Sequence, residues 1–323
     1  MNGLRLAMLG TGTFAEPVFQ ALLNQRRHPV VGLVTKPHHE GGTVRGSTRQ
    51  IGAGMTTLAQ AAGVPVYQPL SINTPEGVEQ LRAWQAELLV TAAYGQILKA
   101  EVLNATRLGG INVHASPLPK YRGAAPVVWA IARGETETGV TIIRMTTGLD
   151  AGEMLAQERV AIGPQETAGE LEARLAEIGA RIVIDVIDRL AAGPVSGEKQ
   201  DPALVTKAPK LTKEHGAIDW SKPADEICRL VRAMQPWPTA YTFLHREGSA
   251  PSRVLLLKAE PAEGEFGGPG DVRVGSDGKT IEAATSAGIV RVLELQAAGK
   301  KRMSATAFLN GHPLRAGDRL GPA

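Results

Sequence analysis

The chain has a single cysteine among 323 residues, only 4% aromatic residues, and no strong excess of either charge, with 35 Lys and Arg facing 32 Asp and Glu. One cysteine excludes an intrachain disulfide and leaves no Cys cluster for zinc. The seven histidines show no ligand spacing beyond the adjacent His38-His39, so no metal is expected. The longest apolar stretches are short and broken by Gly, Pro or charge, and Met1 leads straight into a strand-like segment. Neither a signal peptide nor a membrane span is expected, and the chain reads as cytoplasmic. Repeats and low-complexity tracts are missing as well. What remains, 43% hydrophobic and 21% charged, is enough for two globular domains with cores of their own.

In the first half, apolar runs alternate with helical periodicity. Leu4 to Gly10 reads as a strand, Ala15 to Gln25 as a helix and Pro29 to Thr35 as a second strand. Thr56 to Ala62 is helical before a strand at Val64 to Tyr67, and Glu76 to Gln85 is a helix. Leu88 to Ala93, Gly110 to His114 and Val140 to Met145 follow as strands, with a helix starting near Ala125. This βαβ alternation predicts a mostly parallel sheet. Glu166 to Ala191 carries Leu171, Leu175, Ile178, Ile182, Val186 and Leu190 at helical spacing, a stripe suited to packing on that sheet.

From Ala191 to Pro202 the chain is rich in Gly, Pro and polar residues, which marks a boundary. A second domain opens near Leu211 with a helix from Ala224 to Met234. It continues in short strand-like runs: Ala240 to His245, Ser252 to Ala259, Gly270 to Val274, Thr280 to Ala284 and Gly288 to Gln296. Runs this short between turns predict a small barrel. From Leu204 onward there are 17 Lys and Arg against 13 Asp and Glu, so the later part carries the positive excess.

The stretch Ile111-Asn112-Val113-His114 places an amide and an imidazole two positions apart, on one face of a strand. Gly148-Leu149-Asp150-Ala151-Gly152 offers a carboxylate on a loop able to return toward them. In open parallel sheets ligand-handling groups come from beyond the carboxyl ends of strands, where His114 and Asp150 both fall. Asn112 can donate to a developing oxyanion, His114 can donate a proton or hydrogen bond, and Asp150 can accept a proton from a nucleophile. No covalent nucleophile accompanies them. Cys228 is distant in sequence and Ser116 is boxed between an alanine and two prolines, so the set suits direct acyl transfer to an amine. An Asn-x-His pair can also simply satisfy loop carbonyls. Gly10-Thr11-Gly12-Thr13-Phe14-Ala15 could pass for a dinucleotide fingerprint, but no acidic ribose partner ends the second strand at Thr35-Lys36-Pro37, and a tight structural turn fits better.

The wording from Ile111 through Ser116-Pro117-Leu118-Pro119-Lys120-Tyr121-Arg122-Gly123 to Pro126, with Gly148 to Glu153, closely resembles the formyltransferase family that uses 10-formyltetrahydrofolate. Three later stretches are similar to the branch acting on methionyl initiator tRNA: Arg232 to Ala240, Lys210 to Glu214 with Ile218-Asp219-Trp220, and Gln296 to Ser304. The likeness runs from Leu4 to Asn310.

The resemblance implies an α/β catalytic domain with a Rossmann-like, mostly parallel sheet over residues 1–194, a linker over 195–210, and an OB-like β-barrel that binds tRNA over 211–323. It implies Asn112, His114 and Asp150 as the catalytic set. Ser116, Pro117, Leu118 and Pro119 become the contacts for 10-formyltetrahydrofolate, the co-substrate, with Pro117 standing where the family usually has leucine. Val44-Arg45-Gly46 resembles the core of an inserted loop that grips tRNA, which makes Arg45 and Arg49 candidates for phosphate contact. Lys207, Lys210, Lys300, Lys301 and Arg302 are read as sequence-independent contacts to the tRNA backbone. A monomer is expected. Rival readings are a sugar-nucleotide formyltransferase, a formylfolate hydrolase with the same core, and an RNA-binding module without catalysis.

Overall fold

The run Leu-Ala-Met-Leu-Gly at Leu6–Gly10 is buried along its whole length and forms β1, as befits a strand covered on both faces. It is followed by α1 (Ala15–Asn24), β2 (Val30–Val34), α2 (Ala53–Ala61), β3 (Val66–Tyr67), α3 (Pro75–Ala83), β4 (Leu88–Ala92), α4 (Ala100–Leu103) and β5 (Gly110–His114). Thr74 caps α3 by accepting from the Gly77 N–H, with Pro75 in the first turn where its missing N–H costs nothing. The computed structural model describes residues 3–37 and 53–323. These divide into one unit of Met1–Val127, Glu137–Ile162 and Gly169–Lys210, and another of Val128–Thr136, Gly163–Ala168 and Leu211–Ala323.

In the first unit β1 to β5 are parallel and lie in the order β3-β2-β1-β4-β5, so the order reverses between β1 and β4. The chain continues through β6 (Arg122–Gly123), α5 (Pro126–Ala132), β7 (Glu137–Arg144), β8 (Met154–Ala161), α6 (Ala168–Ala192) and β9 (Lys207–Ala208). Antiparallel β7 and β8 complete a seven-stranded sheet beyond β5. The expected mostly parallel α/β sheet is therefore present. Strand β8 was not among the expected ones: exposed Gln157, Arg159 and Ala161 alternate with less exposed positions that include Glu158, so neither face reads as an apolar stripe of period two. Helix α6 buries Leu171, Leu175, Ile182, Val186 and Leu190 as its stripe requires. Gly179 lets it approach β5 closely, since a Cβ there would lie 2.6 Å from Val113 Cγ1.

The second unit contains α7 (Ala224–Ala233), β10 (Ala240–His245), β11 (Ser252–Ala262), β12 (Val272–Val274), β13 (Ile281–Ala284), β14 (Ile289–Ala297), β15 (Met303–Ser304), α8 (Ala305–Gly311) and β16 (Arg319–Gly321). The strands follow the order β12-β13-β14-β11-β10-β16, all antiparallel, with β15 on β14. A bridge between Asp271 and Arg319 joins the two ends of this path, and Leu320 N donates to Gly270 O at 2.7 Å. The result is a nearly closed barrel filled by Leu256, Val292, Leu295, Phe308 and Leu320. The expected barrel is thus found, with β15, α8 and β16 added. Among the described residues no helix is long and apolar enough to cross a membrane, and no group of His, Cys, Asp and Glu could hold a metal ion.

Candidate active site

Asn112 and His114 stand on β5 with the one-residue interval that turns both side chains to the same face. The Thr91 hydroxyl on β4 donates to Asn112 Oδ1 at 2.7 Å. That contact fixes the amide so that Nδ2 is turned away from Thr91 and available to a ligand. His114 is buried, with Nε2 3.0 Å from the Tyr121 carbonyl oxygen, which can only accept. Nε2 therefore carries a hydrogen, and Nδ1 is the ring atom left for chemistry. It lies 3.7 Å from Asp150 Oδ2.

Asp150 adopts φ +48°, in the left-handed region that few non-glycine residues enter. Its Oδ2 accepts from the Gly123 N–H at 2.9 Å. Gly123 itself is at φ +125°, and a Cβ there would lie 2.5 Å from the Ala208 carbonyl oxygen, so only glycine fits between β6 and β9. On the other side of the loop, Gln200 Nε2 donates to the carbonyl oxygens of both Asp150 and Gly152 at 2.8 Å. The Gln200 Oε1 accepts from Arg122 Nε at 2.9 Å and Nη2 at 2.7 Å. The three candidate catalytic residues are thus brought together in one unit, and the contacts around them come from segments far apart in the chain.

The segment from Ser116 to Pro119 follows directly. Ser116 is fully buried and its hydroxyl donates to the Lys120 carbonyl at 2.7 Å. Leu118 is buried, with its N–H given to Thr141 Oγ1 at 3.1 Å and its carbonyl accepting from Gln157 Nε2 at 2.9 Å. The Thr141 hydroxyl in turn donates to Ser116 O at 2.7 Å. Pro117 is buried and Pro119 half-buried. The polar groups of this segment are thus largely occupied in holding its own shape behind His114.

The candidate tRNA contacts are dispersed. Arg45 and Arg49 lie outside the described residues. Lys207 is in β9, its backbone in register with Arg122, and its side chain is exposed, as is Lys210. In the other unit, Lys300 and Lys301 are exposed on the turn after β14, whereas Arg302 pairs with Glu294. The sequence had no signal for Thr91 or Gln200. Thr91 sits inside an apolar run, and Gln200 belongs to the Gly- and Pro-rich stretch read as a boundary. Outside the site, burial pushes the Glu172 carboxyl up to about 7 and the Cys228 thiol up to about 12.

Residues 4–187 match the Formyl transferase family model, and residues 210–313 match that of the formyl transferase C-terminal domain. The methionyl-tRNA formyltransferase of Geobacter sulfurreducens is 41% identical over 324 residues, covering 100% of this chain and 98% of the relative. Among solved structures, an N-formyltransferase from Helicobacter canadensis in complex with folinic acid and dTDP-3-aminofucose superposes with a TM-score of 0.66 at 16% identity, over 90% of this chain and 98% of that one. HypX from Aquifex aeolicus, in complex with tetrahydrofolic acid, does so with a TM-score of 0.63 at 18% identity, over 95% of this chain but only 47% of its own. These two likenesses concern the fold. With both family models matched in order and a relative similar along its whole length, the chain belongs to the formyl transferase family and, within it, to the methionyl-tRNA formyltransferases.

Proposed function

We propose that the enzyme transfers the formyl group of 10-formyltetrahydrofolate to the α-amine of methionine esterified to initiator tRNA, as a cytoplasmic monomer. In this reading residues 1–194 carry catalysis, 195–210 link, and 211–323 bind tRNA. The observation that carries the chemistry is the placing of Asn112 and His114 in the carboxyl-terminal half of β5, with Asp150 brought against His114 Nδ1. Folates bound to two solved structures of the same fold support the donor class, and full-length likeness to tRNA-directed relatives supports the acceptor.

The neutral amine attacks the formyl carbon, a C–N bond forms, and the carbonyl electron pair moves onto oxygen. Asn112 Nδ2 donates to that oxyanion, and His114 donates from Nδ1 when its ring carries a second proton, because Nε2–H is committed to Tyr121. Asp150 takes the proton of the attacking amine, directly or through a water. Breakage of the bond to the folate nitrogen, with return of the proton there, releases tetrahydrofolate and the formylated ester. Ser116, Pro117, Leu118 and Pro119 shape the wall against which the folate rests. Arg45, Arg49, Lys207, Lys210, Lys300, Lys301 and Arg302 meet the tRNA backbone.

The test supplies 10-formyltetrahydrofolate with methionine-charged initiator tRNA, uncharged tRNA, or an amino-sugar nucleotide, and follows the formyl group. Formylation of the charged tRNA alone is expected. Formylation of the sugar, or hydrolysis without an acceptor, would overturn the acceptor assignment, and binding of tRNA without turnover would overturn the catalytic one.

A further inference from the structure

We propose that Gln200 is a positioning residue for the reaction, holding the Asp150 loop in the one conformation that aims its carboxylate. The inference rests on the reading of Asp150 as the proton acceptor. Three observations lead to it. First, the Gln200 amide uses both of its N–H donors on the Asp150 and Gly152 carbonyls, and its Oε1 takes two hydrogens from Arg122. A side-chain amide with its donors so fully engaged has one orientation.

Second, the partners are the two segments whose relation fixes the carboxylate. Gly123, the residue after Arg122, donates to Asp150 Oδ2, while Gln200 holds the backbone of Asp150 itself. Gln200 therefore ties the donor strand to the loop that bears the acceptor. Oδ2 makes both contacts recorded for the carboxylate, to Gly123 N and His114 Nδ1, which leaves Oδ1 as the oxygen presented to the amine.

Third, the loop needs holding. Asp150 is at φ +48°, which the backbone does not favour for aspartate, and it persists only where surrounding contacts over-determine it. Its side chain is 13% exposed, and a small rotation of the loop would swing the carboxylate away from a reacting amine. Gln200 lies in a stretch that composition marks as a mere boundary between domains, yet Arg144 Nη2 bonding to Val195 O and Glu198 pairing with Met154 keep that stretch fastened to the same unit.

The test is a cycle of four full-length proteins: wild type, Gln200→Met, Asp150→Asn and the double variant, assayed for formyl transfer with both substrates saturating and for KM of each. Methionine matches glutamine in length and deletes all of its hydrogen bonds. Gln200→Met is expected to lower kcat by about 10- to 100-fold, the cost of misplacing a catalytic group by around an ångström, with both KM values nearly unchanged. In the Asp150→Asn background the same change should lower kcat by less than about 3-fold, because the group it positions is already gone. Equal losses in both backgrounds would mean that Gln200 acts structurally and would overturn the inference. Full kcat in Asp150→Asn alone would instead sink the role of Asp150, a separate outcome visible without touching Gln200. If Gln200→Met fails to fold, Gln200→Glu decides: it keeps the acceptor for Arg122 and loses the two donors, so it should still lower kcat, and unchanged turnover would overturn the proposal.

Discussion

The loops around Asp150 and the barrel of the second unit are held together by different means. Around Asp150, single polar side chains bind groups of remote segments: Thr91 the Asn112 side-chain amide, Thr141 the backbone of Ser116 and Leu118, Gln200 the backbone of Asp150 and Gly152. Each contact contributes modestly to stability, on the order of 1 kcal/mol, but sets a direction. In the barrel, continuous antiparallel ladders enclose an apolar interior, and buried acids face arginines. Stability there comes from area removed from water and is insensitive to the aim of any one side chain. The difference teaches where damage will register, as lost turnover in the first region and lost folding in the second.

The largest effect expected from breaking that contrast is at Asp150. Replacing it with asparagine keeps an acceptor for the Gly123 N–H, so Tm should move little, while loss of the proton acceptor should lower kcat by about 10²- to 10⁴-fold. Turnover near wild type at saturating substrate would remove Asp150 from the chemistry. Leu295→Ala should do the reverse. Leu295 is 1% exposed inside the barrel, and its truncation should cost about 2–5 kcal/mol in denaturant unfolding. The kcat of the folded protein at low temperature should stay close to wild type, and a parallel collapse of kcat would show that the two regions are not separable.

Asp318 gives a smaller effect with a pH signature. Its side chain is 1% exposed and paired with Arg246, whose guanidinium holds the carboxyl below the usual carboxylate range. A depressed value stabilises the fold above the unfolded pKa and loses that contribution as pH falls through the folded one. Asp318→Asn should cost about 2 kcal/mol at neutral pH, since the arginine is partly solvated. The gap to wild type should close well below about pH 4. A gap that persisted in acid would assign the loss to packing.

The same contrast explains what the sequence disclosed. Strands β1 and β4 were legible because a strand buried on both faces is almost wholly apolar, and α6 because its stripe repeats at helical spacing. β8 escaped because it mixes one buried position with charged ones, and β16 because it is three residues long. Asn112, His114 and Asp150 stood out by residue type, and their wording matched a family. Gln200 and Thr91 did not, because the property that matters is where their two ends reach, across 50 and 21 positions of chain, and composition holds no trace of that.

The smallest expected effect sharpens the comparison from the other side. Glu172 on α6 is a mostly buried acid of the first unit for which, among the described residues, the one recorded partner is neutral, the Thr13 hydroxyl donating to Oε1 at 3.2 Å. Burial, opposed only weakly by that hydrogen bond, raises its carboxyl from 4.5 to about 7. The sign is opposite to that at Asp318. Between 4.5 and about 7 the folded chain binds more protons at Glu172 than the unfolded chain, so this residue's contribution to stability falls as pH rises through that window. Glutamine keeps an acceptor for Thr13 and never ionises. Glu172→Gln should therefore be stabilising by about 1 kcal/mol at pH 8, a figure reduced for the solvent that still reaches part of the side chain. At pH 4 the two proteins should melt together. Measuring Tm of Glu172→Gln and Asp318→Asn across the same pH series thus tests one principle twice, because a buried acid with a cation destabilises when its charge is lost, and a buried acid without one destabilises when its charge is gained. Gaps to wild type that opened in the same direction with rising pH, rather than in opposite directions, would show that surroundings other than these partners set the two slopes.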